Sequence, residues 1–309
     1  MAEFRPATPD QDELRRQVID AGLLIETGVL GVYGRGADFE AIRRGVNDVV
    51  SRAAEPDDAE KVRFPPVLPR HTFEKSGYLS SFPHLIGTIF DFEGDEEAAR
   101  VQAERAADHE DWSEHQTMSE LVLTPAACYP VYPAIAARGP LPPGGIVVDA
   151  GDSYVFRSEP SGDPARLQMF HQREIVRIGE PEAVAEWRNT WRDRAMELLR
   201  GLGLAAEYDV ASDPFFGRSG RMMAASQRQQ ELKFEIQIQI AGPEPTACAS
   251  FNYHQVHFGE AYGIELADGG VAHTSCLGFG LERISLALLK THGLDPESWP
   301  SEVREQLFS

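Results

Sequence analysis

Apolar positions recur at helical spacing over residues 11–29, where Leu14, Val18, Ile19, Leu23 and Leu24 share a side, and over 38–53 through Phe39, Ile42, Val46, Val49 and Val50. Both stretches are predicted helices, with Asp10 or Asp12 and Asp38 as N-terminal caps. A longer stretch, Pro181 to Leu202, repeats the pattern through Val184, Trp187, Trp191, Ala195, Leu198 and Leu199 and closes at Gly201; its tryptophans are expected in the core. Elsewhere the period drops to two. Leu232, Phe234, Ile236, Ile238 and Ile240 alternate with polar residues, which predicts a half-buried strand, and residues 246–258 read as its antiparallel neighbour. Residues 120–124 predict a strand, 125–132 a short helix, and 72–78 a short helix ending at Gly77. The run 62–70 holds too much proline for a central strand and is expected to lie extended along an edge or an interface. From Val271 the chain reads strand, then a glycine turn at Gly278 and Gly280, then helix. A few N-terminal helices followed by hairpins with one long helix inserted predict an α+β fold built on an antiparallel sheet.

The pattern with most chemistry in it is a predicted hairpin. Residues 154–159 and 166–178 are two extended runs joined by Pro160, Gly162, Asp163 and Pro164. They carry Arg157, Glu159, Arg166, Phe170 and Glu174. Arginine suits phosphate because its planar fork presents several donors and keeps its charge. On this stretch alone a phosphate site and a surface ribbon with salt-bridged rungs are equally consistent.

Bulk properties narrow the choice. The 309 residues are 42% hydrophobic and 25% charged, which suits a globular chain with a real core. No apolar run reaches the roughly 20 residues of a membrane span, and the N-terminus lacks a basic-then-apolar leader, so cytoplasmic residence is expected. A net charge of −20 argues against a wide nucleic-acid footprint but is compatible with a small ATP site. Residues 91–120 are acid-heavy without the spacing of a calcium loop, and read as a solvated helical face. The three cysteines, Cys128, Cys248 and Cys276, are odd in number and far apart, so no disulfide framework is expected.

Together with Gly278, Gly280 and Arg283 downstream, the hairpin residues resemble motifs 2 and 3 of class II aminoacyl-tRNA synthetases, and most nearly the catalytic core of seryl-tRNA synthetases. The likeness runs from about Phe64 onward, and the tRNA-binding coiled-coil arm of those enzymes has no counterpart in the roughly 60 residues before it. An acidic core of this kind without a tRNA arm resembles the amino acid:[carrier protein] ligases, which activate a small amino acid with ATP and pass it to a phosphopantetheine thiol. The resemblance implies a class II synthetase-like antiparallel sheet flanked by helices, with residues 1–60 as a helical segment packed on a catalytic domain of residues 61–309, and a homodimer through the 62–70 segment. It also implies roles. Arg157 would contact the α-phosphate and the substrate carboxylate, Glu159 the adenine amino group, Arg166 the β- or γ-phosphate, and Arg283 the γ-phosphate opposite a Phe170 stacked on adenine. Leu281 and Glu282 are assigned to packing and capping. Lys233, Ser250 and Asn252 are further pocket candidates.

The same family uses a Cys/Glu/Cys zinc set, which implies Cys128, Glu174 and Cys276 here; three protein ligands leave a position open for the substrate amine. Read without the resemblance, the two cysteines are ordinary buried thiols, and Cys248 is assigned to the core. His171, His254, His257 and His273 are read as structural. Two departures stand out. The Glu that precedes the serine of the seryl-enzyme Mg²⁺ site is missing before Ser250, leaving Glu235 as a substitute, and the Thr-x-Glu element that reads serine's hydroxyl appears as Thr124 followed by Pro125 and Ala126. A lost acceptor favours glycine or alanine over serine. Finally, Arg218, Arg221 and Arg228 lie in a basic island at 217–233, either a solvated helix or a docking face for an acidic carrier protein. A minimal tRNA-charging enzyme and a catalytically silent amino-acid-binding paralogue are the competing functions.

Overall fold

The computed structural model describes residues 6–308. Three sheets organise it. β1 (Leu24–Glu26) and β2 (Tyr33–Arg35) form a two-stranded antiparallel ribbon. A seven-stranded sheet uses β3 (Glu60–Lys61), β7 (Ile146–Phe156), β8 (Met169–Gly179), β9 (Glu207–Val210), β10 (Lys233–Ile238), β11 (Thr246–Gln255) and β12 (His273–Gly280) in the order β3-β7-β8-β12-β11-β10-β9. Only the short β3–β7 pairing is parallel. A three-stranded sheet places β6 (Gln116–Leu123) between β4 (Val67–Pro69) and β5 (Thr88–Phe92). The proline-rich run is thus an edge strand, as its missing donors require.

Alternation divides the large sheet into two unlike faces. Leu277 and Phe279 of β12, Ala249 and Phe251 of β11, and Phe234, Ile236 and Ile238 of β10 are buried together with Ile175 of β8 under three helices, Ala37–Ala54, Pro181–Gly201 and Leu281–His292. The opposite face carries Glu174, Cys276, Ser250, Asn252, Lys233 and Glu235. These form transverse rows: Glu235 pairs with Ser250, which pairs with Gly278, which pairs with Glu174.

Several local expectations are corrected. The first helix runs only Pro9–Asp20, capped by Thr8 and Gln11 rather than by an aspartate, because the Thr8/Gln11 pair closes a reciprocal capping box. Leu23 and Leu24, expected within that helix, instead lead into the ribbon after Gly22 takes φ +69°. The 38–53 helix is real but is capped by Gly36 without a side-chain bond. The strand expected to reach Glu159 ends at Phe156, and the one expected from Arg166 starts at Met169, since the backbone of Ser158 turns away to bond Leu85 (3.1 Å). The 125–132 helix begins only at Val131. There is no glycine turn: β12 continues through Gly280 and the helix starts at Leu281. Gly278 leaves room for the Gln172 side chain, whose Nε2 would stand 2.6 Å from a Cβ there and would have to shift. Within the acid-heavy stretch 91–120 the α-helix covers only Glu96–Ala107, capped by Asp95 and with no buried residue, and the stretch ends in β6.

Candidate active site

A cavity of about 530 Å³ opens on the polar face of the large sheet, and the hairpin, the β10–β11 pair and β12 all contribute to it. Strand alternation aims Phe170, Gln172 and Glu174 of β8 into it, while His171 and Arg173 point to the other face. Arg157, Lys233, Ser250, Asn252, Cys128, Cys276 and Arg283 also line it. Nine of the sequence-predicted residues therefore meet in one place. Glu159 and Arg166 sit beside it, paired to each other at 2.6 Å.

At one end guanidinium groups converge. Arg157 Nε donates to the Pro125 carbonyl (3.1 Å), and its guanidinium carbon stands 5.5 Å from the Phe170 ring centre. Arg283 donates to the Ala165 (2.8 Å) and Ala247 (2.8 Å) carbonyls. Carbonyls orient a guanidinium without neutralising it. Burial and the like charges of Arg166 and Arg157 accordingly push the Arg283 pKa down. Glu159 shows the converse: burial would raise its pKa, but Arg166 and Arg157 outweigh that and hold it below the usual carboxylate range. Three arginines around one carboxylate make a site with unspent positive charge.

At the other end lie Cys128, Glu174 and Cys276, whose ligand atoms are all within 4.8 Å of one another. Cys128 comes from the turn after β6, which is laid across β8 by two bonds: Ala127 N donates to Gln172 Oε1 (3.3 Å) and Cys128 N to Glu174 Oε2 (2.7 Å). All three residues are buried. Burial pushes Glu174 and the Cys128 thiol up, and contact with Cys128 together with burial pushes Cys276 well above its ordinary value. Two thiols and a carboxylate packed this closely, with no cationic side chain bonded to them, fit a soft divalent cation that would hold them deprotonated. Asn252 Nδ2 donates to Cys276 Sγ (3.5 Å), and His254 Nε2 lies 3.6 Å from the same sulfur, its pKa pulled down to about 3 chiefly by burial.

Between the two ends Lys233 Nζ bridges Asp213 (2.6 Å) and Glu235 (2.9 Å). Asp213 was not singled out in the sequence, and neither was Gln172. Gln172 had a signal, since it shares the parity of Phe170 and Glu174. Asp213 comes from an irregular loop and had none. Glu282 does more than cap. It is 1% exposed and accepts from His171 N (2.8 Å) and Arg35 Nη1 (3.0 Å), joining the helix Leu281–His292 to β8 on the face away from the cavity. Cys248 is buried, its thiol pushed up to about 12 by burial. Arg218, Arg221 and Arg228 are exposed on the helix Gly217–Gln229, whose Met223 and Gln227 reach the cavity. No helix among the described residues is long and apolar enough to cross a membrane.

No family model matches the chain. Individual relatives do. The chain is 28% identical over 200 residues to a type-2 serine–tRNA ligase of Methanopyrus kandleri, covering 60% of this chain and 37% of that protein. In three dimensions it matches the M. kandleri seryl-tRNA synthetase in complex with Aquifex tRNA at a TM-score of 0.81 and 22% identity, covering 95% of this chain and 59% of that one. A Giardia lamblia prolyl-tRNA synthetase matches at 0.67 and 12% identity, over 92% of this chain and 54% of that one. These likenesses show the class II synthetase fold. Two proteins of Bradyrhizobium diazoefficiens are much nearer. Amino acid–[acyl-carrier-protein] ligase 1 is 47% identical over 278 residues, 90% of this chain and 85% of that protein. Ligase 2 is 45% identical over 302 residues, 97% and 90%. With that identity over nearly the whole of both chains, this protein belongs to the amino acid–[acyl-carrier-protein] ligases.

Proposed function

We propose that the protein activates a small amino acid, glycine or alanine, with ATP and transfers it to the phosphopantetheine thiol of an acidic carrier protein. The observation that carries this reading is one cavity with a cluster of under-neutralised arginines at one end and a thiol–carboxylate–thiol set at the other. ATP would lie at the arginine end, its adenine against Phe170 and beside Glu159, its phosphates drawn to Arg157, Arg166 and Arg283. Holding both ends of the triphosphate leaves the α-phosphorus open to in-line attack, which is catalysis mainly by positioning. A substrate carboxylate oxygen attacks that phosphorus and pyrophosphate leaves, with Arg157 stabilising the charge that builds. The carrier thiolate then attacks the carbonyl of the aminoacyl-adenylate, AMP leaves, and the thioester forms.

Cys128, Glu174 and Cys276 would hold Zn²⁺, which when bound supplies a Lewis-acid anchor for the substrate's α-amine. Glu235 and Ser250, facing each other across β10 and β11, are the groups for the Mg²⁺ that accompanies ATP. Ala126, on the cavity wall where a hydroxyl-reading glutamate would stand, offers no acceptor, which supports a substrate without a hydroxyl. Arg218, Arg221 and Arg228 are the docking charges for the carrier, and a homodimer through the 62–70 segment belongs to the same reading.

The test is ATP–pyrophosphate exchange with glycine, alanine and serine, each with and without a chelator, followed by mass measurement of a holo-carrier. Exchange with glycine or alanine that the chelator abolishes, and an aminoacyl mass increment on the carrier, are expected. Fastest exchange with serine overturns the substrate assignment, and tRNA charging without carrier loading overturns the acceptor.

A further inference from the structure

The loop 160–168 joins Glu159 to the strand that bears Phe170, and it contains Arg166. Its inner side is held by the site itself: Arg157 N donates to Gln168 O (2.8 Å) and Arg283 Nε to Ala165 O (2.8 Å). Its outer side is held by the other end of the chain. Gln168 N donates to Gly31 O (2.7 Å), and the Gln168 side chain donates to Leu30 O (2.7 Å). Gln11 Nε2 donates to Asp163 Oδ2 (3.0 Å), and Asp163 in turn orders the loop by accepting from Ala165 N (2.9 Å).

The N-terminal partners are themselves fixed. Gln11 is locked in the capping box, its Oε1 accepting from Thr8 N (2.9 Å). Gly31 takes φ +76°, and a Cβ there would stand 3.1 Å from Gln168 Cγ and 3.3 Å from Arg166 O, so only glycine lets the two backbones approach without displacing either. Gly162 likewise admits Ala7, whose Cβ lies 3.0 Å from where a side chain would begin. Past this point the ribbon continues into Arg35, which reaches Glu282 (3.0 Å) in the first turn of the helix bearing Arg283.

We infer that residues 7–35 are a brace for the nucleotide end of the site, with Gln11, Gly31 and Gln168 as positioning residues for ATP. The inference rests on the ATP reading of Arg166 and Glu159 given above. Its physical content is preorganisation. A loop with glycine at 162 between prolines at 160 and 164, held only from inside, would have to be ordered by the ligand, and that ordering is subtracted from affinity. The brace removes the cost before ATP arrives, and it does nothing for the amino acid at the other end of the cavity.

Two variants test it on the full chain. Gln168→Leu removes one outer bond. Gln11→Glu keeps the acceptor for Thr8 N but sets a second carboxylate against Asp163. Combined, they are expected to raise the KM for ATP in pyrophosphate exchange about tenfold, the sum of two lost hydrogen bonds of ordinary strength, with the amino acid KM unchanged and the melting temperature lowered by no more than about 5 °C. A second readout needs no activity: trypsin nicking at the Arg166–Leu167 bond should be several-fold faster in the double variant than in the parent. Gly31→Ala, which pushes on the same loop from the ribbon, should reproduce both effects. An unchanged ATP KM in a folded variant overturns the positioning role, and so does a parallel loss of every kinetic parameter together with melting temperature. If the parent shows no exchange with any amino acid, the ATP reading itself fails. The nicking experiment still decides the brace, and unchanged cleavage at Arg166 overturns it.

Discussion

Replacing Glu174 with glutamine separates the two ends of the cavity. Glu174 is 1% exposed, accepts from Cys128 N at 2.7 Å, and lies with the two cysteines inside a 4.8 Å group. Glutamine has the same shape and keeps an acceptor for Cys128 N, but it removes the negative charge that a cation needs. Changes one shell further out typically cost 10–100-fold in metal affinity, so loss of a ligand is expected to cost at least about 100-fold, or roughly 2.7 kcal/mol. The fold should not suffer. Burial raises the Glu174 pKa, which means that the ionised form is held there at a cost, and the neutral amide escapes it. The metal-free Glu174→Gln protein should therefore melt at or slightly above the metal-free parent. Zinc content by mass spectrometry should fall below a tenth of an equivalent after dialysis, and the amino acid KM in pyrophosphate exchange should rise at least 100-fold. Calorimetric binding of a non-hydrolysable ATP analogue should stay within twofold, because Arg157, Arg166, Phe170 and Arg283 are untouched. A variant that keeps stoichiometric zinc and the parental amino acid KM refutes the ligand assignment. Equal losses at both ends refute their separation.

Two further predictions probe the periphery. Glu40 accepts from Arg43 (2.6 Å) and Arg35 (2.9 Å), and although burial would raise its pKa, those two arginines lower it from 4.5 to about 2. A depressed carboxylate stabilises the fold fully above its unfolded value and loses that contribution as pH falls from 4.5 towards 2. The shift caps the effect at about 3 kcal/mol, and screening at this partly exposed site reduces it to about 1–2 kcal/mol. Glu40→Gln should destabilise by that amount in urea titrations at pH 7 and by progressively less below pH 4.5; a pH-independent penalty would count against the ion-pair account. On the helix Gly217–Gln229, proposed to dock the carrier, Arg221→Glu with Arg228→Glu should raise the carrier KM about tenfold or more, with a dependence on salt, while leaving pyrophosphate exchange intact. Equal loss in both assays would make the basic face structural.

What the sequence shows of this site follows from which residues share a strand. Phe170 and Glu174 are legible because β8 alternates, and two residues of equal parity must face one way. The same logic applied to β10 was read only halfway. Its apolar members lie in the core as alternation predicts, but its polar members, Lys233 and Glu235, line the cavity, where alternation alone suggests a solvent face. By local pattern Gly278 and Gly280 read as turn punctuation, whereas Gly278 stays in register as the bare position between Ser250 and Glu174 that makes room for Gln172. Periodicity reports how a segment meets its neighbours in general, and it cannot say which neighbour.

That limit is sharpest for the first 35 residues. Their apolar spacing suggests a helical layer, and nothing local marks Gln11, Leu30 and Gly31 as partners of a loop more than 130 residues away. Such contacts are made by backbone carbonyls and by a glutamine already used as a helix cap, neither of which leaves a pattern in composition or spacing. Yet they bear on one of the residues that the sequence assigns to ATP. On the proposed ATP reading Arg166 depends on its loop being held, and half of what holds that loop is contributed by a segment that shares no motif with the site. The strand-borne part of the cavity, Phe170, Glu174, Ser250 and Cys276, is thus legible from alternation, and the long-range bonds that hold the 160–168 loop are displayed only by the folded chain.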